Sequence, residues 1–181
     1  MRVVGGRLSG RVIRCPPGVT TRPTLDRVRE SLFNILAPRV AGAFVLDLYA
    51  GTGALAFEAL SRGADHAAVV EPDPRALGVL RTNVVALGLE ASTTIYPVRA
   101  ELAVKRLPNH SFHLIFLDPP WDRGPSVDVW RRLGGLLHPE GLAVLEYAHP
   151  HGVPPLNQGG VVEVDRRQYG RTGLLLLAPA G

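Results

Sequence analysis

Phe44-Val45-Leu46-Asp47-Leu48-Tyr49-Ala50-Gly51-Thr52-Gly53-Ala54-Leu55-Ala56 is the stretch that decides the fold. Residues 44–49 form an apolar run of the length expected for a buried strand. Gly51 and Gly53 then permit a tight turn and a close backbone approach by a ligand, and Ala56 permits close packing of a helix on the strand. The pattern through Leu60 is helical, and a helix starting here presents free N–H groups at its N-terminus. The whole fits the loose form G-x-G-x-x-[GA] of a nucleotide-binding strand–loop–helix. Alone, that form does not separate one nucleotide cofactor from another.

From Phe44 onward, strand-like and helix-like patterns alternate. Strands are expected at 44–49, 67–71, 93–98, 112–118 and 143–147, and helices at 54–62, 74–87, 101–107 and 126–137. This predicts a mostly parallel sheet covered by helices on both faces. Two further strands, near 161–167 and 173–178, have no helix between them. They form a closing antiparallel hairpin around Tyr169-Gly170-Arg171-Thr172-Gly173, for seven strands in all. Ahead of this body, Arg2-Val3-Val4 and Arg11-Val12-Ile13 flank Gly5-Gly6 and Ser9-Gly10 and read as a short β-hairpin. A helix should follow, N-capped by Thr24, with Asp26 in its first turn. Leu25, Val28, Leu32, Ile35 and Leu36 make its apolar stripe; Arg27, Arg29, Glu30 and Asn34 lie off it, and Pro38 ends it. Residues 1–40 thus read as an extension of the α/β domain at 41–181.

The run at 112–117 closes on Asp118-Pro119-Pro120-Trp121. Proline cannot donate to a ladder, so the pair must lie beyond the sheet. The result is a stiff platform with one carboxylate, carbonyls lacking neighbouring amide donors, and one flat aromatic face. It suits a planar molecule bearing an exocyclic amine, whose two N–H bonds the carboxylate and a carbonyl accept while the indole stacks on the ring. A plain strand-terminating turn would draw on the same residues. Glu71 ends the strand at 67–71, about 20 residues after Gly51, where an acid takes ribose hydroxyls; Asp73 follows. Ligands of open α/β sheets bind beyond the carboxyl ends of the strands, so Asp47, Glu71 and Asp118 can share one rim.

The chain of 181 residues is 46% hydrophobic and 20% charged, which suits one globular domain. No apolar run approaches membrane-spanning length, and no signal-peptide pattern opens the chain. Cys15 is the only cysteine, which excludes an internal disulfide. The six histidines are scattered, and no metal is expected. Net charge is +4, but residues 1–39 carry eight arginines against Asp26 and Glu30, a net +6 over a body of −2. A basic segment on a near-neutral body points to a polyanion. A GC-rich genome explains most of the preference for arginine over lysine, but not this clustering.

Asp47 to Gly53, Glu71 and Asp118 to Trp121 occur in the order used by class I S-adenosylmethionine-dependent methyltransferases. Arg2-Val3-Val4-Gly5-Gly6-Arg7 with Gly10-Arg11, then Arg22-Pro23-Thr24-Leu25-Asp26-Arg27-Val28-Arg29-Glu30 and Phe33-Asn34, resemble the RsmD family. The similarity runs from the first residues to about Leu177. That family methylates the N2 amine of guanine 966 in 16S ribosomal RNA. The resemblance implies a Rossmann-like fold, S-adenosyl-L-methionine as cofactor and ribosomal RNA of the small subunit as partner. It implies that Ala50, Gly51, Thr52 and Gly53 pass under the methionine part of the cofactor, with Asp47 orienting the loop. Glu71 and Asp73 then face the ribose, and Ala100 and Glu101 the adenine; Glu101 could equally be a helix-start acid. Asp118, Pro119, Pro120 and Trp121 become the catalytic platform, with Asp118 also beside the cofactor and Glu146 a supporting strand-end acid. Trp121 stands where the family more often has Phe or Tyr, a larger ring that can still stack. Arg2, Arg7, Arg11, Arg22, Arg27 and Arg123 become the RNA-binding set. A cytoplasmic monomer acting without metal or membrane is expected. Alternatives are an amino-methyltransferase acting on adenine in DNA or on a protein glutamine amide, a nicotinamide-dependent oxidoreductase, and a catalytically dead RNA-binding module.

Overall fold

The computed structural model describes residues 1–16, 23–120, 124–148 and 155–181. After a 3₁₀ turn at Gly6–Leu8, the elements are α1 (Pro23–Val40), β1 (Phe44–Asp47), α2 (Ala54–Ser61), β2 (His66–Val70), α3 (Pro74–Leu87) and β3 (Thr93–Tyr96). Then come α4 (Ala100–Ala103), β4 (Phe112–Leu117), α5 (Val127–Leu136), β5 (Leu137–Ala148), β6 (Val161–Tyr169) and β7 (Thr172–Pro179). The seven strands run in the order β3-β2-β1-β4-β5-β7-β6. All pairings are parallel except those of β7, which is antiparallel to both β5 and β6. The order reverses between β1 and β4, and ligands of such sheets sit at that switch point.

Local chemistry explains the boundaries the sequence places well. Helix α3 spans 74–87 as expected: Asp73 caps it by accepting the Arg75 N–H, Pro74 occupies its first turn, and Gly88 closes it at φ 69°. Serine 126 caps α5 in the same way. The closing hairpin turns on two residues, Gly170 and Arg171, with Tyr169 paired to Thr172 and Gly170 at φ 62°.

Other boundaries differ. Helix α1 begins at Pro23, so Thr24 lies inside it rather than capping it. Pro38 also lies inside, in the last turns, where its missing N–H costs a single bond to a helix already packed through Leu36 and Val40. The expected helix at 101–107 is regular only over Ala100–Ala103 and continues as turns, with the Leu107 N–H on the Ala103 carbonyl. Strand β5 begins at Leu137, well before 143, and its register with β4 shifts between Phe112 and Leu114. The expected N-terminal hairpin reduces to one bridge, Arg2 to Val12.

Two apolar clusters fill the faces of the sheet. One joins the N-terminal residues Val3, Leu8 and Ile13 to Val28, Leu32, Phe33 and Leu36 of α1, Phe57 of α2 and Leu80 of α3. The other lies under α4 and α5, around Trp130, Leu133 and Leu136. Ile35 of the expected α1 stripe is only half-buried. Arg29, expected off that stripe, is 5% exposed and ion-paired to Asp26 at 3.0 Å and to Glu58 at 3.6 Å. A helix pattern cannot reveal that burial, because the partner Glu58 comes from α2.

Candidate active site

Strand register brings four carboxylates to one rim. Asp47 at the end of β1 lies opposite Val69 of β2 and Phe116 of β4, and Phe116 lies opposite Val144 of β5. Residues two apart share a face of a sheet. Glu71 follows Val69, Asp118 follows Phe116 and Glu146 follows Val144, so all four acids extend the same face across four adjacent strands.

Their environments differ. Glu71 is buried, and its two oxygens accept the Gly51 N–H at 2.8 Å and the Asp73 N–H at 2.7 Å. It therefore braces the glycine loop against the end of β2. Asp47 is 1% exposed, and its Oδ1 has no hydrogen-bond partner among the described residues. Burial first, then the Asp118 charge, pushes its carboxyl up to about 7, while the Tyr49 and Ala56 amides offset part of the rise. Asp118 reaches solvent but stands in a recess walled by protein, which raises its pKa. Glu146 is raised by burial and further by the neighbouring Asp118 charge. The recess is a volume of ≈ 110 Å³ lined by Asp118 and Glu146 with Ala54 and Leu55 of α2, and by Met1 and Arg29.

The glycine loop shows two different uses of glycine. Gly51 has φ +53°, and a Cβ there would meet nothing within 4 Å, so that side of it is open. Gly53 has φ +88°, and a Cβ would stand 2.5 Å from the Phe57 ring and 2.7 Å from Leu80. Gly53 is thus required by backbone conformation and core packing. On the other side of the rim lies a recess of ≈ 260 Å³ lined by Leu48, Tyr49, Pro72, Ala100, Glu101 and Pro120, among others. The Tyr49 hydroxyl is buried there without a partner among the described residues. An apolar slot with a few convergent polar groups fits a nucleoside. Glu101 lines it while lying 3.7 Å from Arg99 in the first turn of α4.

This geometry coincides with the relationships of the chain. Residues 1–178 match the family model described as Conserved hypothetical protein 95, the RsmD family. The chain belongs to the RsmD family. Among its members, Ribosomal RNA small subunit methyltransferase D of Escherichia coli K12 is 37% identical over 157 residues, covering 85% of this chain and 78% of the relative. YlbH of Bacillus subtilis is 33% identical over 189 residues and spans both chains completely. The solved structure of Escherichia coli yhhF superposes with a TM-score of 0.86 at 32% identity, over 99% of this chain and 97% of that one.

Trp121, Arg123 and Arg22 lie outside the described residues. Pro119 is buried and Pro120 exposed directly after Asp118. Asp73 is exposed and occupied as the cap of α3. Of the arginines, Arg2, Arg7 and Arg11 are exposed. Arg2 donates to the Gly10 carbonyl at 2.7 Å, and Arg11 donates to the Ala86 carbonyl at 2.8 Å, at the C-terminal end of α3. Arg27 is exposed on α1. Sequence reasoning missed Met1 and Arg29 in the recess and Tyr49 in the slot. Tyr49 carried a usable signal, a polar ring atom in the last position of an apolar strand run. Among the described residues no cluster of His, Cys, Asp and Glu could hold a metal ion, and no helix is long and apolar enough to cross a membrane.

Proposed function

We propose that this chain transfers a methyl group from S-adenosylmethionine to the exocyclic N2 amine of a guanine in 16S ribosomal RNA, presented on an assembled or partly assembled small subunit. The observation that carries the reading is the rim itself: four aligned carboxylates beside a glycine loop in a member of a family whose named relatives are ribosomal RNA methyltransferases.

The cofactor fits the residues present. The open side of Gly51, the unpartnered Asp47 Oδ1 and the buried Tyr49 hydroxyl all await polar or close-packed contacts. Glu71 retains lone pairs for ribose hydroxyls after accepting its two backbone N–H groups. Ala100 and Glu101 with Leu48 and Pro72 would hold the adenine. When bound, the cofactor supplies an electrophilic methyl group on a cationic sulfur. A cationic sulfur beside the rim would favour the ionised form of these acids, and that attraction is lost with the neutral product.

Asp118 and the Pro119 carbonyl accept the two N–H bonds of the guanine amine. This holds nitrogen toward the methyl carbon and builds electron density on it. The cofactor would supply the methyl carbon to the nitrogen lone pair and depart as a neutral thioether, and the Asp118–Glu146 pair would take the one N–H proton released. Asp118, pushed up to about 6 by burial, is ionised at neutral pH yet basic enough to accept that proton. The base must be unpaired or flipped out to reach this site. Trp121 supplies the stacking face. The test is transfer of labelled methyl to naked 16S RNA and to small subunits, with the modified nucleotide mapped. Label on a guanine N2 is expected; label on adenine, on protein, or on nothing would overturn the assignment.

A further inference from the structure

Helix α3 carries a groove that the catalytic rim does not use. Arg14 and Cys15 form one wall, and Pro74, Arg75, Gly78, Val79 and Thr82 the other, enclosing ≈ 430 Å³. A second hollow of ≈ 460 Å³ continues it along α3 through the shared Thr82 to Arg81, Val85 and Ala86. The groove begins where α3 leaves the rim, three residues after Glu71, and runs away from the cleft.

Its chemistry is one-sided. The linings contribute Arg14, Arg75 and Arg81, all exposed, and no carboxylate. Among the described residues none of the three has an acid within ion-pair distance. The acid nearest Arg75 in sequence, Asp73, accepts the Arg75 backbone N–H as the cap of α3 and makes no ion pair with its guanidinium. Gly78 supplies an independent observation. It sits inside a helix, where glycine is unfavourable, yet a Cβ there would meet nothing within 4 Å. Packing within the protein does not require it. A bare stretch of helix between guanidinium groups admits a phosphate backbone at close range. The groove is also tied to the cofactor loop. Asn83, fully buried, accepts the Arg14 N–H at 2.9 Å and donates to the Arg14 carbonyl at 3.0 Å and to the Thr52 carbonyl at 3.1 Å.

We infer that this groove holds the phosphate backbone of the RNA strand leading away from the target base, with Arg14 and Arg75 as its phosphate ligands and Gly78 as its floor. The inference rests on the RNA-methylating reading above and adds a surface made of α3 as well as the N-terminal segment.

The substrate for the test is whichever of naked 16S RNA or small subunits the wild-type chain methylates. Arg14→Gln with Arg75→Gln should lower the log–log salt slope of RNA binding by about 0.7 to 0.9 per residue. KM for RNA should rise about tenfold, with kcat at saturating RNA and S-adenosylhomocysteine affinity unchanged. Gly78→Gln should melt no lower than wild type and still weaken RNA binding. RNA should slow alkylation of Cys15 by iodoacetamide, and S-adenosylhomocysteine should not. If the wild type methylates RNA while the double variant keeps its slope and KM, and Cys15 stays unprotected, the groove is a solvated face and the inference fails alone. If the wild type methylates no RNA, the functional reading fails and the groove with it.

Discussion

Residues 1–16 and residues 44–56 pack on the same core, but they are held there by different means. In the β1–loop–α2 unit, the strand and helix pair through their backbones, and side chains from elsewhere hold only a few groups at the edges and in the loop, among them the Gly51 N–H on Glu71 and the Thr52 carbonyl on Asn83. The N-terminal segment pairs with itself at Val3, Gly10, Arg11 and Ile13, but it is fastened to the body by side chains from far along the chain. The Val4 and Gly5 N–H groups both donate at 2.7 Å to the Glu58 carboxylate, the Leu8 N–H donates to Ser61 at 2.9 Å, and Arg14 pairs with Asn83. All three side chains are buried. Regular pairing leaves a periodic trace in sequence, whereas an irregular segment satisfied by distant polar groups leaves none. The rim built around the first region should therefore fail chemically when its acids Asp47, Glu71 and Asp118 are changed, and the second region structurally.

The sharpest break is Asp118→Ala. It should reduce turnover by about 10²- to 10⁴-fold while leaving the melting temperature and S-adenosylhomocysteine affinity near wild type. A folded Asp118→Ala variant with normal turnover would remove the platform from the mechanism.

Glu58→Ala tests the other region. Glu58 is fully buried and ion-paired to Arg29 and, at 2.8 Å, to Arg62. Removing it strands those charges and two backbone N–H groups, a loss of about 3–5 kcal/mol. Denaturant unfolding should show that loss, and limited proteolysis should release the N-terminal segment first. Unchanged stability would mean the segment is held by its apolar residues Val3, Leu8 and Ile13 alone.

The comparison sharpens with pH. The raised Asp47 pKa means the folded state binds a proton that the unfolded state has already lost. The resulting stability is full below the ordinary carboxyl range near 4 and declines as pH rises toward about 7. Relative to Asp47→Asn, the wild type should lose up to about 1.4 kcal/mol per pH unit across that window. Parallel stability curves for the two proteins would show Asp47 to be ionised and satisfied in the fold.

Glu71→Ala should have the smallest of these effects, a loss of about 1.5–3 kcal/mol in cofactor affinity measured calorimetrically. Because Glu71 also holds the Gly51 N–H, Glu71→Gln should keep the loop in place through its remaining carbonyl and recover part of the affinity. Equal losses in both variants would assign the effect to the charge rather than to the loop.

Much of the fold was legible because it rests on short-range rules. Strand runs at 44–49 and 112–118, the Asp73-Pro74 start and Gly88 stop of α3, and the closing hairpin all carry their own local signals. The acids at strand ends could be placed on a rim from the fold rule alone. Tertiary structure decided what each residue meets there. Gly53 reads as a loop glycine, and the fold adds a second demand, since a Cβ there would strike Phe57 and Leu80. Arg29 reads as a surface charge but is buried beside Glu58 and lines the recess of Asp118 and Glu146. Glu146 joins Asp118 only through the β4–β5 register, which shifts at Phe112 and which no local pattern encodes. Periodicity and turn chemistry act within a few residues and so are written in the sequence. Partnerships between groups 20 to 70 residues apart depend on how the elements pack, and only the assembled fold specifies them.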